Sequence, residues 1–248
     1  MKFVHQHLEE VHSTNEILWE LSEKVQLSDF HAISADFQTQ GKGQDQNSWE
    51  SEAGMNLIVS FVVFPDFLAA SSAFQISRWV SLSILNYLSS KGLKNTSIKW
   101  PNDIYVDDEK IAGILIQNGI QGQYLSKSMI GIGLNLNQEI FTSDAPNPIS
   151  LKNILKNDFD VLEELSNLIE KLYQCYHLLY KNPQKLVRNY HSNMYQLNSW
   201  ENYQTNRGVE KGKIVGVDEF GRLSVEFEND QISSFDLKEI RFLQKQQA

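Results

Sequence analysis

The spacing of apolar residues along the chain predicts helices in four regions. From Ser13 onward apolar side chains recur three and four positions apart, and Ser13 and Glu16 have the spacing of a capping box, which begins a helix. The apolar face of this first helix consists of Ile17, Leu18, Leu21 and Val25. Residues 71–88 are apolar on most faces, which indicates a largely buried helix. Residues 158–180 keep helical spacing, and residues 183–194 follow as one more short helix that begins with proline.

Short apolar runs between these helices predict β-strands. Residues 31–37 alternate weakly, and residues 57–64 form the continuous β-branched run that is typical of a buried strand. Further strands are predicted at 97–100, 103–106, 110–117 and 124–136. Asp107 and Asp108 predict a hairpin turn between two of them. Because helices are mixed with a largely antiparallel sheet, we expect the α+β class.

The character of the chain changes after residue 195. Four glycines separate short β runs at 213–217, 223–227 and 232–235. The sequence therefore predicts a main domain over residues 1–195 and a small β-barrel domain over residues 196–248.

One long segment shows neither helical nor strand periodicity. Residues 38–54 contain three glycines, and their only apolar members are Trp49 and Ala53. Loops of this length inside a domain are normally functional or disordered. This loop is therefore a candidate part of a binding site.

Composition excludes several classes of protein. Lys and Arg number 22 against 31 Asp and Glu, a net charge of -9, which is opposite to the basic surface of a nucleic-acid-binding protein. The single cysteine, Cys175, permits no internal disulfide, and neither a signal peptide nor an apolar run long enough for a membrane span is present. The histidines lack metal-ligand spacing, so no protein-bound zinc is expected. We expect a soluble cytoplasmic protein.

Three polar motifs have ordinary structural interpretations when each is taken alone. Ser13-Thr14-Asn15 is typical of a helix N-cap, and Trp100-Pro101-Asn102-Asp103 is typical of a turn. Gly41-Lys42-Gly43 is compatible with a flexible surface loop, since one Gly-x-Gly is a weak phosphate-binding signal. Cys175 lies on an apolar helical face and indicates a core residue rather than a nucleophile.

Taken together and in order, five motifs resemble the biotin protein ligase family. They are Ser13-Thr14-Asn15, Gln38-Thr39-Gln40-Gly41-Lys42-Gly43 with Ser48-Trp49, Lys99-Trp100-Pro101-Asn102-Asp103-Ile104, Lys110-Ile111-Ala112-Gly113-Ile114-Leu115, and Gly131-Ile132-Gly133-Leu134-Asn135-Leu136-Asn137. The resemblance is detailed over residues 11–137 and looser to residue 243. It implies a catalytic domain akin to class II aminoacyl-tRNA synthetases followed by an SH3-like domain.

The resemblance also implies site residues. Its biotin-binding positions correspond to Ser13, Thr14, Asn15, Gln38, Gly41, Lys42, Gly43, Gln44, Lys110, Gly113, Gly131 and Gly133. Its ATP-binding positions correspond to Lys42, Gln44, Asn47, Trp49, Lys99, Asn102, Asp103, Lys110 and Asn135. Lys110, Lys42 and Asp103 are the expected catalytic residues, with Asp103 orienting or deprotonating the acceptor amine. Gly131 and Gly133 match glycines that let the biotin ring lie against a strand.

The implied activity is formation of biotinyl-AMP from biotin and ATP, followed by transfer of biotin to a lysine of a biotin carboxyl carrier protein or domain. ATP, Mg²⁺ held by the ATP phosphates, and biotin are the expected ligands, with no metal ligand assigned on the protein. Attack of a carboxylate on a phosphate brings two anions together, which explains the gathered lysines. A monomer or homodimer is expected, without DNA-binding function, because only 12 residues precede the first motif.

One motif departs from the family pattern, which reads Gly-Arg-Gly-Arg-Arg-Gly-Arg-x-Trp. Here only Lys42 keeps a charge, and Gln44, Asp45 and Asn47 replace cations. This predicts a weaker hold on the adenylate with the same reaction class. Two alternatives stay open: a lipoate protein ligase, which shares the fold and adenylate chemistry, and a non-catalytic module that binds biotin or the carrier.

Overall fold

The computed structural model describes residues 3–44, 47–142 and 147–243. Helices in this part of the chain are α1 Thr14–Lys24, α2 Phe74–Ser90, α3 Leu151–Leu155, α4 Val161–Tyr176, α5 Leu178–Lys181 and α6 Pro183–Ser192. The first seven strands are β1 His5–Val11, β2 His31–Gln38, β3 Leu57–Val63, β4 Thr96–Lys99, β5 Asp103–Val106, β6 Glu109–Gln121 and β7 Tyr124–Leu134. They are followed by β8 Trp200–Thr205, β9 Gly208–Val217, β10 Leu223–Phe227, β11 Ile232–Phe235 and β12 Ile240–Phe242. No helix in the described ranges is long and apolar enough to cross a membrane.

The first seven strands form one mixed sheet in the order β1-β2-β3-β7-β6-β5-β4. Only the β1–β2 pair is parallel among the described strands, and the other pairs are antiparallel. Helices α2 and α4 pack together over one face, whereas α1 contacts β2, β3 and β7. Strand β3 is buried along its whole length because both faces of the sheet are covered. This architecture confirms the expected α+β class with a largely antiparallel sheet.

A second, antiparallel sheet lies at the C-terminal end of the chain, in the order β11-β10-β9-β8-β12. It confirms the small C-terminal β unit that the glycine-separated runs predicted. Its core residues, including Ile214 and Val225, belong to the same buried cluster as Trp79 of α2. The division at residue 195 stays a prediction, since one apolar core is continuous between the two sheets.

Polar contacts also join the two sheets. The guanidinium of Arg78, on α2, donates to the carbonyl oxygens of Asp218 at 2.7 Å and Val217 at 3.4 Å. The indole of Trp100 donates to the carbonyl oxygen of Gly221 at 2.8 Å. Each donor lies in the N-terminal part of the chain, and the acceptors lie at the last residue of β9 or in the turn that follows it. The relative position of the sheets is therefore fixed by buried hydrogen bonds as well as by apolar packing.

The predicted start of α1 is correct in position but wrong in mechanism. Ser13 occupies the N-cap position, yet its side chain makes no capping hydrogen bond. The side chain is buried and lines a cavity, and Glu16 lies 3.3 Å from His12 instead of capping the helix. Val25 is wrong as a member of the buried face, because it follows the last turn in extended conformation and is half exposed.

Candidate active site

A cavity of about 120 Å³ lies where the beginning of α1, the 38–54 loop, the first half of β6 and the C-terminal end of β7 meet. Most of the predicted site residues line it. They are Ser13, Thr14, Asn15, Gln38, Lys42, Gly43, Gln44, Asn47, Trp49, Asn102, Asp103, Lys110, Gly113, Gly131 and Gly133. Residues that are 120 positions apart in the chain therefore line one pocket. The fold brings the separate sequence motifs together at a single candidate binding site.

One end of the cavity is polar but carries no charge. The side-chain oxygen Oε1 of Gln38 accepts hydrogen bonds from the backbone N–H of Thr14 at 2.8 Å and from its hydroxyl at 3.0 Å. The hydroxyls of Thr14 and Ser60 lie 2.8 Å apart. Ser60 was not predicted, although it is the one polar residue in the apolar run of β3, and that interruption is the signal that could have found it.

Asn15 gives this polar end its unmet hydrogen-bonding capacity. The residue is 5% exposed, and neither its amide nitrogen nor its amide oxygen has a partner among the described residues. A buried polar group without a partner costs about 1–3 kcal/mol. A neutral ligand that offers both a donor and an acceptor would recover this free energy.

The indole ring of Trp49 covers the glycine surface in the middle of the cavity. Gly113 and Gly133 are directly paired across β6 and β7. A Cβ atom added to Gly133 would lie 2.3 Å from the Trp49 ring, and one added to Gly113 would lie 3.0 Å from it. Gly131 instead faces Ser60 and Asn15, at 3.5 and 3.7 Å from such a Cβ atom. The two predicted biotin-facing glycines thus have different neighbours, and the contact of Gly133 with biotin stays a prediction.

The charged end of the cavity contains Lys110 and Asp103. The Lys110 Nζ atom lies 2.7 Å from Asp103 Oδ1, and both side chains are 20% exposed. The same Nζ atom lies 5.7 Å from the centre of the Trp49 ring. The backbone of Lys110 is held by the next segment of chain, because its N–H donates to Asn147 O and its carbonyl accepts from the N–H of Ile149. The structure brings the predicted cation and the predicted base into one ion pair.

The predicted glycine loop folds back on itself. The N–H of Trp49 donates to Gly41 O at 3.0 Å, and the N–H of Gly43 donates to Asn47 O at 2.6 Å. Lys42 lines the cavity but pairs with Glu16 of α1. Asp45, one of the substituted cationic positions, lies outside the described residues. The cation of this loop is therefore paired with a carboxylate of α1.

Three predicted residues are not among those that line the cavity, namely Gly41, Lys99 and Asn135. Lys99 donates to the Tyr105 hydroxyl at 2.9 Å and lies 4.7 Å from that ring and 5.2 Å from the Phe242 ring. Burial lowers the pKa of the Lys99 amine below its ordinary value, although Asp103 opposes this shift. Asn135 donates to Ile149 O at 3.0 Å, beside the segment that holds Lys110. These residues contact the surroundings of the cavity, and their predicted ATP contacts stay predictions.

A second cavity of about 330 Å³ adjoins the first, and both are lined by Gln44, Asn102, Ile114 and Leu115. Its outer wall is formed by α2 and by two turns of the C-terminal sheet that carry Phe220 and Leu237. Within the described ranges, no cluster of three or more His, Cys, Asp or Glu residues could hold a metal ion. Asp103 is the carboxylate among the residues that line the first cavity.

The sequence of the chain is similar to those of known ligases. Residues 8–135 match the model of the biotin/lipoate A/B protein ligase family. The bifunctional ligase/repressor BirA of Bacillus spizizenii is 27% identical over 212 residues, which cover 78% of this chain and 61% of that protein. The chain thus spans less than two thirds of the length of this curated relative. A biotin--[acetyl-CoA-carboxylase] ligase of Paracoccus denitrificans is 32% identical over 98 residues, 39% of this chain and 40% of that protein.

Solved structures resemble the whole chain. The biotin protein ligase from Aquifex aeolicus in complex with biotin and ATP is 26% identical, with a TM-score of 0.79, and the match covers 97% of this chain and 99% of that one. The Leishmania major biotin protein ligase in complex with biotinyl-5-AMP is 19% identical, with a TM-score of 0.66 over 95% of this chain and 100% of that one. The second likeness supports the fold alone.

Proposed function

The chain belongs to the biotin/lipoate A/B protein ligase family, and from this premise we propose that it is a biotin protein ligase. It forms biotinyl-AMP from biotin and ATP and transfers biotin to a lysine of a biotin carboxyl carrier protein or domain. One observation carries the proposal. A single cavity joins the buried neutral amide of Asn15, which has no partner in the described part of the chain, to an ion-paired lysine, Lys110.

Biotin has the matching polarity along its length. Its ureido ring is neutral and offers both donors and acceptors, which suits Asn15, Thr14 and Ser13 at the polar end. Its carboxylate is at the opposite end of the molecule, where Lys110 is the nearby cation. Biotin bound in this direction presents its carboxylate to the nucleotide beside Trp49.

In the first step a carboxylate oxygen of biotin attacks the α-phosphorus of ATP, a new C–O–P linkage forms, and pyrophosphate leaves with the electron pair of the broken bond. Two unit negative charges at 4 Å repel by about 4 kcal/mol at an effective dielectric of 20. Lys110 reduces this repulsion when its amine leaves Asp103 and pairs with the incoming anions instead. Lys42 can do the same after it leaves Glu16.

Magnesium is the metal that the proposal includes. Mg²⁺ commonly takes one or two protein carboxylates and completes its shell with phosphate oxygens and water. Asp103 and the amide of Asn102 line the cavity together, and a single carboxylate is enough for an ion that arrives with ATP. When bound there, Mg²⁺ would neutralise charge on the phosphates.

In the second step the amine of the carrier lysine attacks the acyl carbon of biotinyl-AMP, an amide bond forms, and AMP leaves. The attacking amine must first lose a proton, since its solution pKa is about 10.4. Asp103 lies beside Lys110 and can accept or orient this proton.

Pyrophosphate exchange tests the proposal without knowledge of the acceptor. The protein is incubated with ATP, labelled pyrophosphate and either biotin or lipoate, and label in ATP is measured. We expect biotin-dependent exchange that requires Mg²⁺. Exchange with lipoate alone would identify a lipoate ligase, and retention of biotin without any exchange would identify a non-catalytic binding module.

The acceptor lysine needs a route to the first cavity, and we assign this route to the second cavity. The two cavities share four wall residues, so a side chain that enters between Phe220 and Leu237 can reach Asn102 and Asp103. Phe220→Asp should slow transfer to a biotin carboxyl carrier domain while leaving pyrophosphate exchange unchanged. Ile232→Asp, at an equally exposed position of the same sheet, is the control. Equal transfer by both variants would place the route elsewhere.

The proposal also includes a cytoplasmic location and a monomeric or homodimeric state.

A further inference from the structure

The segment that follows Trp49 is tied to the segment that follows β7 by the side chain of Gln138. Gln138 is 1% exposed. Its oxygen Oε1 accepts from the backbone N–H of Glu52 at 3.0 Å and from Nδ2 of Asn56 at 2.6 Å. Its nitrogen Nε2 donates to Ile140 O at 3.0 Å. We call these contacts the Gln138 clasp.

Further hydrogen bonds join the same two segments. Asn56 is fully buried, and its Oδ1 accepts from the backbone N–H of Leu136 at 3.0 Å. The backbone N–H of Asn137 donates to Met55 O at 2.9 Å. The carboxylate of Glu50 accepts from the N–H of Thr142 at 2.8 Å. The chain is therefore anchored from the residue directly after Trp49 onward.

The clasp lies between two parts of the candidate active site. On one side Glu50 follows Trp49, whose ring covers Gly113 and Gly133. On the other side Gln138 follows β7 by four residues, and β7 contributes Gly133 to the same surface. The clasp thus connects the ring to the strand against which the ring lies.

We propose that Gln138 is a positioning residue for the nucleotide, and that it acts through Trp49. The inference rests on the proposed function. An aromatic ring offers a stacking surface to a nucleotide base, and a ring that is already fixed loses little conformational entropy on binding. Gln138 suits this role because its buried amide supplies an acceptor for the donors of Glu52 and Asn56 and a donor for the Ile140 carbonyl at the same time.

The first experiment replaces Gln138 by methionine, which has similar length and volume but neither hydrogen-bonding group. In the pyrophosphate exchange assay, Gln138→Met should raise KM for ATP about tenfold, the effect expected when one or two hydrogen bonds no longer hold the segment that follows the ring. KM for biotin should change by less than about twofold, because the polar end of the cavity has separate hydrogen bonds. This split between the two KM values is what a purely structural role would not produce.

Asn137→Leu is the matched control. Asn137 is the adjacent residue and makes the same kind of contacts, since its amide donates to Phe159 O at 2.8 Å and accepts from Phe159 N–H at 2.9 Å. Phe159 precedes α4, so these bonds do not involve the segment after Trp49. Both variants should lower the midpoint of thermal unfolding by about 3 °C. Only Gln138→Met should raise KM for ATP.

Gln138→Glu is a second variant that keeps the acceptor atoms, loses the donor and places a carboxylate where Nε2 now lies 3.5 Å from Glu50 Oε1. It should raise KM for ATP at least as much as Gln138→Met does, because the buried carboxylate faces the Glu50 carboxylate and the carbonyl oxygen of Ile140. Unchanged KM for ATP in either Gln138 variant, or an equal rise in Asn137→Leu, would overturn the positioning role while exchange by the unaltered protein upholds the function. Absence of exchange in the unaltered protein would overturn both.

Discussion

Lys110 enters the cavity from a backbone that is fixed on both sides, because its N–H and carbonyl are bonded to Asn147 and Ile149. Its side chain is therefore supported by the strand and not by its partner Asp103 alone. A lysine at the margin of the core can be shortened without loss of the fold, whereas its charge is needed where phosphate and carboxylate meet.

Lys110→Ala should reduce the rate of biotin-dependent pyrophosphate exchange by about 10²–10³, the usual effect of removing one charge-stabilising contact from a transition state. Far-ultraviolet circular dichroism should be unchanged. Lys127→Ala is the control, since this lysine lies on the same sheet over the ring of Trp19 and away from the cavity wall. Near-normal exchange in Lys110→Ala would show that another cation is responsible.

Alanine substitutions of Gly131 and Gly133 should raise KM for different substrates. A Cβ atom at Gly133 overlaps the Trp49 ring, so Gly133→Ala should displace the ring and raise KM for ATP. A Cβ atom at Gly131 makes ordinary contacts with Ser60 and Asn15 but occupies part of the polar end, so Gly131→Ala should raise KM for biotin. Steady-state exchange kinetics with each substrate varied in turn will measure both. If Gly133→Ala raises KM for biotin and leaves KM for ATP unchanged, Gly133 contacts biotin and does not act through the Trp49 ring.

The motif residues could be predicted from the sequence because their types and spacing match a family pattern. Gln138 and Asn56 could not, since isolated amides in loops have no periodicity and their partners include backbone N–H groups 86 and 80 residues away in the chain. Lys99 shows the converse limit. Its charge suggested a phosphate ligand, and only the tertiary structure reveals the rings of Tyr105 and Phe242 around it.

At the scale of elements, the 38–54 loop contributes to the walls of both cavities. In the described part of the loop, Lys42 is paired with Glu16, and Gln44 lines both cavities. The oxygen Oε1 of Gln44 is buried and has no hydrogen-bond partner among the residues that the structure describes. The position where the family pattern has an arginine therefore contributes a neutral amide.

Gln44→Arg should slow the release of biotinyl-AMP. A charge-assisted hydrogen bond contributes about 1.5–3 kcal/mol against about 0.5–1.5 for a neutral one, so the arginine should hold the adenylate more tightly. The intermediate is formed without acceptor, and its release is timed after dilution. Gln40→Arg, in the same loop but away from the cavity wall, controls for added charge. Equal or faster release from Gln44→Arg would mean that Lys42, Trp49 and Lys110 set retention.

Most helices and strands could be predicted because their apolar faces are regular, and β5, β10 and β11 agree with the prediction at both ends. Strand β8 was missed because most of its residues are polar. Its two buried residues, Tyr203 and Thr205, are too few to show strand alternation. Strand β12 and helix α3 have three and five residues, too few to show a period. Strand β1 lies at the edge of the sheet, and Val11 is its one buried residue. Its sequence therefore shows no alternation of apolar and polar residues.

At the scale of the whole molecule, Arg78 is the buried charge that joins the two sheets. It is 2% exposed, it donates to the carbonyl oxygens of Val217 and Asp218, and its guanidinium lies 4.9 Å from the Phe74 ring centre. Nothing in the sequence distinguished this arginine from an exposed one, because its acceptors are backbone groups 139 and 140 residues away.

Arg78→Met should lower the free energy of unfolding by about 2 kcal/mol, because two carbonyl oxygens lose a charged donor. The midpoint of thermal unfolding should fall by roughly 4–8 °C, measured by differential scanning calorimetry. Arg188→Met is the control on the exposed side of α6. A shift no larger than that of the control would show that apolar packing alone holds the sheets together.

The continuous core restricts how such proteins can be recombined. The turn at Gly221 has a positive φ of 94°, and a Cβ atom there would lie 2.6 Å from the side chain of Phe74. A C-terminal sheet transplanted from a relative must therefore bring a turn that fits this particular α2 surface. Chimaeras joined near residue 195 will fold well only when the donor sheet and the recipient α2 are exchanged as a matched pair.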